Sequence, residues 1–127
     1  KLEQDLRKRI QIREWYCERL SELDSIHIPF RDRKEFVSNY IFPIVLKDST
    51  AEKRDWFRDK LHEYGIQTSV HYPAIHRFSA YKAYSNKLPK TEYAADNEVT
   101  LPMYAKLQID EIAYICDKIK EIIETYK

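Results

Sequence analysis

Four side chains within eleven residues have the chemistry to meet a polar ligand: His71, Tyr72, His76 and Tyr81. Three of them fall in the run His71-Tyr72-Pro73-Ala74-Ile75-His76. Imidazole can gain or lose a proton near neutral pH, and its nitrogens, like a phenol hydroxyl, can hydrogen-bond a sugar hydroxyl or a phosphate. Two uses of this run stay open on chemistry alone. It can orient a ligand or shuttle a proton at the end of a strand, or it can be a surface loop whose aromatics pack on the core. Pro73 stands between the two histidines, so they cannot share a helical face. Neither Cys17 nor Cys116 lies near enough in sequence to complete a structural zinc set. No metal site is expected.

Gly65 is the only glycine among 127 residues. Walker loops and dinucleotide fingerprints both need several glycines for the backbone to approach phosphate closely, so neither is present. If the protein handles a nucleotide or a phosphorylated cofactor, most of the phosphate cradle lies elsewhere. Lys and Arg number 22 against 21 Asp and Glu, a net charge of +1. The basic residues Arg7, Lys8, Arg9 and Arg13 alternate with Glu3, Asp5 and Glu14, which reads as a solvated face and not as a nucleic-acid stripe. No apolar run reaches the roughly 20 residues that cross a bilayer, and no signal-peptide core opens the chain. The two cysteines fall among apolar residues and read as buried thiols in a reducing compartment. The expectation is a cytoplasmic protein with neither nucleic acid nor membrane as a partner.

The elements that must position these residues are written with clear ends. Leu2, Leu6, Ile10, Tyr16, Cys17, Leu20 and Leu23 recur at helical steps, and the pattern is already under way at Lys1 without an N-cap. That suggests a piece of something longer. Asp24 to Phe30 reads as loop. Tyr40 to Leu46 is a β-type run in which Pro43 demands an edge or a bulge. Ser49 and Glu52 have capping-box spacing for a helix that Gly65 should end, with apolar Ile66 closing a Schellman motif. Ile66 to Val70 then reads as a second strand. Beyond the His/Tyr loop come a short helix from Pro89 to about Asn97 and a third strand, Val99 to Leu101, stopped by Pro102. A last amphipathic helix carries Ile112, Ile115, Cys116, Ile119, Ile122, Ile123 and Tyr126 on one stripe. The fold class expected is α/β, an α+β sandwich in which a small sheet of about three strands is covered by helices.

Five local patterns in register give this chain its likeness. Arg9, Tyr16 and Leu20 stand as R-x6-Y-x3-L. Arg54, Leu61, Gly65-Ile66, Thr68 and Val70-His71-Tyr72 form the second. Ile75-His76 with Ala80-Tyr81, then Leu88-Pro89-Lys90-Thr91-Glu92, follow. Leu101-Pro102-Met103-Tyr104 with Leu107 and Glu111-Ile112 closes the set. In these the chain resembles the DegT/DnrJ/StrS family of sugar aminotransferases, in the part that follows their large cofactor-binding domain, from about Leu2 to Ile123. Ala74 and Ala105 stand where the family usually has proline, and Gln108 where it has a Thr helix cap.

The resemblance implies a single C-terminal small domain over residues 1–127, with 1–23 as the linking helix, as in fold-type I aminotransferases. The large domain that binds pyridoxal phosphate through a lysine Schiff base would be absent, and the fragment alone inactive. The parent would pass an amino group, typically from glutamate, to a keto group on a nucleotide-linked sugar, for cell-surface polysaccharide or deoxyaminosugar synthesis. Its partners would be the nucleotide-sugar, the amino-acid donor, its own large domain and a second subunit in a homodimer. His71 would be the substrate-orienting residue, Tyr72 its neighbour, and His76 and Tyr81 further candidates. An apolar patch on the first helix and near Phe78 would mark the surface of the missing domain. Two other readings stay open: a stand-alone binding module, and a regulatory relative of the same fold that lacks the lysine.

Overall fold

In a computed structural model, residues 1–84 and 86–125 are described. Helix α1 spans Leu2–Leu20, strand β1 Ile26–His27, strand β2 Phe42–Leu46 and helix α2 Ala51–Glu63. Two 3-10 turns, Ile75–Arg77 and Ser79–Tyr84, lead to helix α3, Pro89–Asn97. Strand β3, Glu98–Leu101, and helix α4, Ile109–Thr125, complete the order. The sheet is antiparallel in the order β1-β2-β3, with Phe42 opposite Leu101, Ile44 opposite Val99 and Val45 opposite Glu98. This is the expected three-stranded sheet with helices.

Side chains alternate across a strand, so the register decides which residues share a face. Phe42, Ile44 and Leu46 with Val99 and Leu101 enter the main core. There they meet Ile12, Tyr16 and Leu20 of α1, Phe57 and Leu61 of α2, and Ile112, Ile115, Cys116, Ile119 and Ile122 of α4. Each such aliphatic or aromatic side chain contributes about 1.5–3 kcal/mol on full burial. Tyr16 is fully buried, stacks on Phe42 with ring centroids 4.7 Å apart, and donates its hydroxyl to the Pro102 carbonyl at 3.0 Å. Burial pushes its phenol pKa up. The opposite register residues, Val45, Glu98 and Thr100, are buried as well. The second sheet face therefore has its own cover.

Several expectations shift. Asp24–Phe30 is not all loop, because Ile26 and His27 pair with Leu46 and Val45. Ile66–Val70 is not a regular strand; it makes one bridge, Ser69 to Thr100. The strand expected over Tyr40–Leu46, β2, begins at Phe42 and not at Tyr40, and it lies in the middle of the sheet. Pro43 is tolerated there because β1 reaches only Val45 and Leu46, leaving Pro43 paired on one side. The N-cap of α2 is Thr50, whose Oγ1 accepts from the Lys53 N–H at 3.3 Å, and not Ser49.

The C-terminal cap of α2 follows the expected pattern. Ile66 N–H donates to the Leu61 carbonyl, Gly65 N–H donates to His62, and Gly65 has φ +76°. At α4 the Glu111 carboxylate accepts the Gln108 N–H at 2.8 Å, so the reciprocal half of a capping box forms without a Thr. Along α1 only Ile12, Tyr16 and Leu20 are buried, whereas Leu2 and Ile10 stay exposed. Tyr126, placed on the last helical stripe by its spacing, lies outside the described residues.

Candidate functional site

The chain leaves the α2 cap along the free edge of β3. Ser69 and Thr100 exchange both backbone hydrogen bonds, at 3.1 and 2.8 Å, which pins the backbone two residues before His71. Two arginines one turn apart on α2 hold either side of this corner. Arg58 donates to the Thr68 hydroxyl and carbonyl at 3.2 and 3.3 Å. Arg54, itself buried, donates to the Ala95 and Glu98 carbonyls at 3.0 and 3.3 Å and pairs with Asp55 at 2.7 Å.

His71 is tied to buried polar groups of β3. Its backbone N–H donates to Glu98 Oε2 at 2.9 Å. Its ring Nδ1 lies 2.9 Å from Thr100 Oγ1 and 3.3 Å from Ser69 Oγ. The Thr100 hydroxyl donates to Glu98 Oε1 in a very short contact. Glu98 is 7% exposed and Thr100 5%, so these bonds are shielded from water. Tyr72 meets the His71 ring edge-on, with centroids 4.8 Å apart.

Two open grooves meet at His71. One, of about 790 Å³, runs along Gly65–Ser69 toward Tyr104, Asp110 and Tyr114. The other, of about 810 Å³, is walled by Ile75, Tyr84 and Leu88, and also by His71, Tyr72, His76 and Tyr81. All four residues singled out by sequence thus border one groove.

Their situations differ. Tyr72 and Tyr81 are exposed. The half-buried His76 has its Nε2 3.0 Å from Glu92 Oε1, and the same oxygen accepts the Leu88 N–H at 3.1 Å. Arg77 pairs with Asp96 at 3.0 Å and stands 3.7 Å from Glu92. The Leu88 N–H first, and the His76 hydrogen bond second, hold the Glu92 carboxyl below its usual pKa. The Arg77 hydrogen bond does the same for Asp96. His76 thus ties the 3-10 turn to α3, while His71 is held through its backbone N–H and Nδ1, with no hydrogen bond to Nε2 among the described residues. Among the described residues no group of three or more His, Cys, Asp and Glu is arranged to hold a metal.

Sequence reasoning missed Glu98, Thr100 and Ser69. The third strand was expected to start at Val99, yet all of Glu98–Leu101 is buried. A carboxylate inside a buried strand needs hydrogen-bond donors. Glu98 beside Val99 was the available signal.

The model of the DegT/DnrJ/EryC1/StrS aminotransferase family matches residues 1–120. The chain belongs to that family. It is 29% identical over 124 residues to the dTDP-4-dehydro-2,3,6-trideoxy-D-glucose 4-aminotransferase of Saccharopolyspora spinosa, covering 98% of this chain and 31% of the relative. It is 36% identical over 75 residues to the pleiotropic regulatory protein of Geobacillus stearothermophilus, covering 56% of this chain and 20% of that one. The PLP form of Spr1654 from Streptococcus pneumoniae superposes with a TM-score of 0.85 at 26% identity, over 95% of this chain and 32% of that chain. The chain spans about a third or less of the length of these relatives.

The two grooves at His71 do not fit a pyridoxal phosphate site of their own. Among the described residues the walls of the two grooves carry one lysine, Lys90, exposed on the first turn of α3. The one glycine is used in the α2 cap. No helix is long and apolar enough to cross a membrane among the described residues.

Proposed function

We propose that residues 1–127 form the C-terminal small domain, with 1–23 as its linking helix, of a pyridoxal-phosphate-dependent transaminase acting on a keto nucleotide-sugar. Glutamate is the amino donor of this reading, and the products serve deoxyaminosugar or cell-surface polysaccharide synthesis. The cofactor, its lysine and its phosphate site belong to a large domain outside these residues, so the domain alone is inactive. The parent is a cytoplasmic homodimer that binds neither nucleic acid nor membrane.

The observation that carries this is the His71 corner. A ring fixed by buried polar groups at the junction of two grooves, without a cofactor site beside it, suits a wall of an active site whose reacting groups come from elsewhere. His71 orients the substrate, Tyr72 adjoins it, Tyr81 borders the same groove, and His76 holds the groove wall. The exposed Leu2 and Ile10 on α1, with Phe36, Tyr40 and Phe78, support a further surface covered by the large domain. The named activity of the Saccharopolyspora relative supports a nucleotide-linked keto sugar as substrate.

The reading is tested by the reading frame upstream of Lys1, expected to encode a large α/β domain with a Schiff-base lysine. A start codon at or immediately before Lys1, with no such domain upstream, would overturn it in favour of a stand-alone binding module. A second reading, a regulatory relative, is favoured by the 36% identity to the Geobacillus protein. The same upstream domain without the lysine would select it.

A further inference from the structure

The hydrogen bonds behind His71 have a direction, and that direction decides what its free nitrogen can do. A hydroxyl has one proton to give. An ionised carboxylate can only accept, and Glu98 uses both oxygens: Oε2 takes the His71 backbone N–H, and Oε1 takes the Thr100 hydroxyl. With its proton spent on Glu98, Thr100 Oγ1 can only accept from the His71 ring, 2.9 Å away. Nδ1 must therefore carry a hydrogen. Ser69 Oγ, at 3.3 Å, stands beside the same nitrogen as a second and longer contact.

We infer that Glu98 and Thr100 are positioning residues that hold neutral His71 in the Nδ1–H tautomer, leaving Nε2 as a hydrogen-bond acceptor facing the grooves. A free neutral histidine side chain in water favours the opposite, Nε2–H tautomer, so this one needs a cause, and the buried Glu98–Thr100 pair is that cause. Nε2 has no hydrogen-bond partner among the described residues. In the neutral ring it receives a hydrogen bond from a sugar hydroxyl or a base N–H, and it repels a phosphate oxygen. The ligand end of this inference rests on the reading of His71 as a substrate contact; the tautomer does not.

The test reads the ring nitrogens of His71 by long-range proton–nitrogen correlation in this chain, at a pH where the ring is neutral and without any ligand. Wild type should show the unprotonated, pyridine-type signal at Nε2. Thr100→Val removes the acceptor and should move that signal to Nδ1. Thr100→Ser keeps the hydroxyl and should restore the wild-type pattern. Glu98→Gln is the sharper variant, because it keeps the shape. Its amide oxygen must take the buried His71 N–H, which turns the NH2 toward Thr100, sends the hydroxyl proton to Nδ1 and reverses the tautomer. Protonated Nε2 in the wild type would overturn the inference outright, since Glu98 would then hold the proton and the chain of bonds would run the other way. An unchanged tautomer in both Thr100→Val and Glu98→Gln would overturn it too. Should Thr100→Val fail to fold, the wild type and Glu98→Gln decide. A correct tautomer with no substrate defect in full-length His71→Ala would sink only the functional reading.

Discussion

His71 and His76 lie five residues apart and border the same groove, yet the molecule holds them in opposite ways. His71 is fixed from beneath by buried groups of β3, with Glu98 and Thr100 almost completely out of water. His76 is held across the surface by Glu92, in a cluster with Arg77 and Asp96 whose side chains remain 30–46% exposed outside the histidine itself. Buried hydrogen bonds to a charged group are costly to leave half made, whereas exposed ion pairs contribute little. The first arrangement suits a ring that must keep one orientation. The second suits a clasp that fastens a loop to a helix.

The comparison breaks most severely through Arg54, which serves the His71 side. Arg54→Met leaves the Ala95 and Glu98 carbonyls without their donor, and urea unfolding should show a loss of about 3 kcal/mol. A loss no larger than that of an exposed arginine would mean the corner is not anchored through α2. Glu98→Ala should cost about 2 kcal/mol by the same measurement, because it orphans the His71 N–H and the Thr100 hydroxyl together. Its amide exchange should rise at Ser69–His71 and stay unchanged at 75–84.

His76→Ala is the smallest effect, about 0.5–1 kcal/mol, and should do the reverse: faster exchange and proteolysis at 75–84 with the His71 ring signals unmoved. Acid should imitate it. Glu92 and Asp96 have depressed folded-state pKa values, so the stability they add is present above their ordinary carboxylate range, 4.5 and 3.8, and is lost as pH falls below it through the folded values. Exchange at 75–84 should therefore accelerate on acidification before that of the sheet. Simultaneous opening of both regions would show one cooperative unit and not two.

What could be read from sequence follows the strength of local signals. The helices were legible because apolar residues recur at their period and Gly65 and Pro89 mark ends that only those residues suit. β1 was hidden, since two residues carry no alternation to read, and its pairing with Val45 and Leu46 is a tertiary fact. Ile66–Val70 has β-type composition but follows β3 through one bridge only, the Ser69–Thr100 exchange being its one backbone pairing with the sheet among the described residues. The four ring-bearing candidates were visible as residue types. The buried pair that separates His71 from His76 was not, because Glu98 and Thr100 meet His71 across 27 and 29 residues of chain.

The most direct measurement takes the proposed parent transaminase, this chain together with the large domain proposed to precede it, and follows the two half-reactions of His71→Ala separately. The account predicts that the half-reaction with glutamate runs near the wild-type rate while that with the keto nucleotide-sugar falls by about tenfold or more, the loss of one oriented hydrogen bond worth roughly 1.4 kcal/mol or above. Equal rates for both half-reactions in variant and wild type would contradict it, and would return His71 to a purely structural place in the fold.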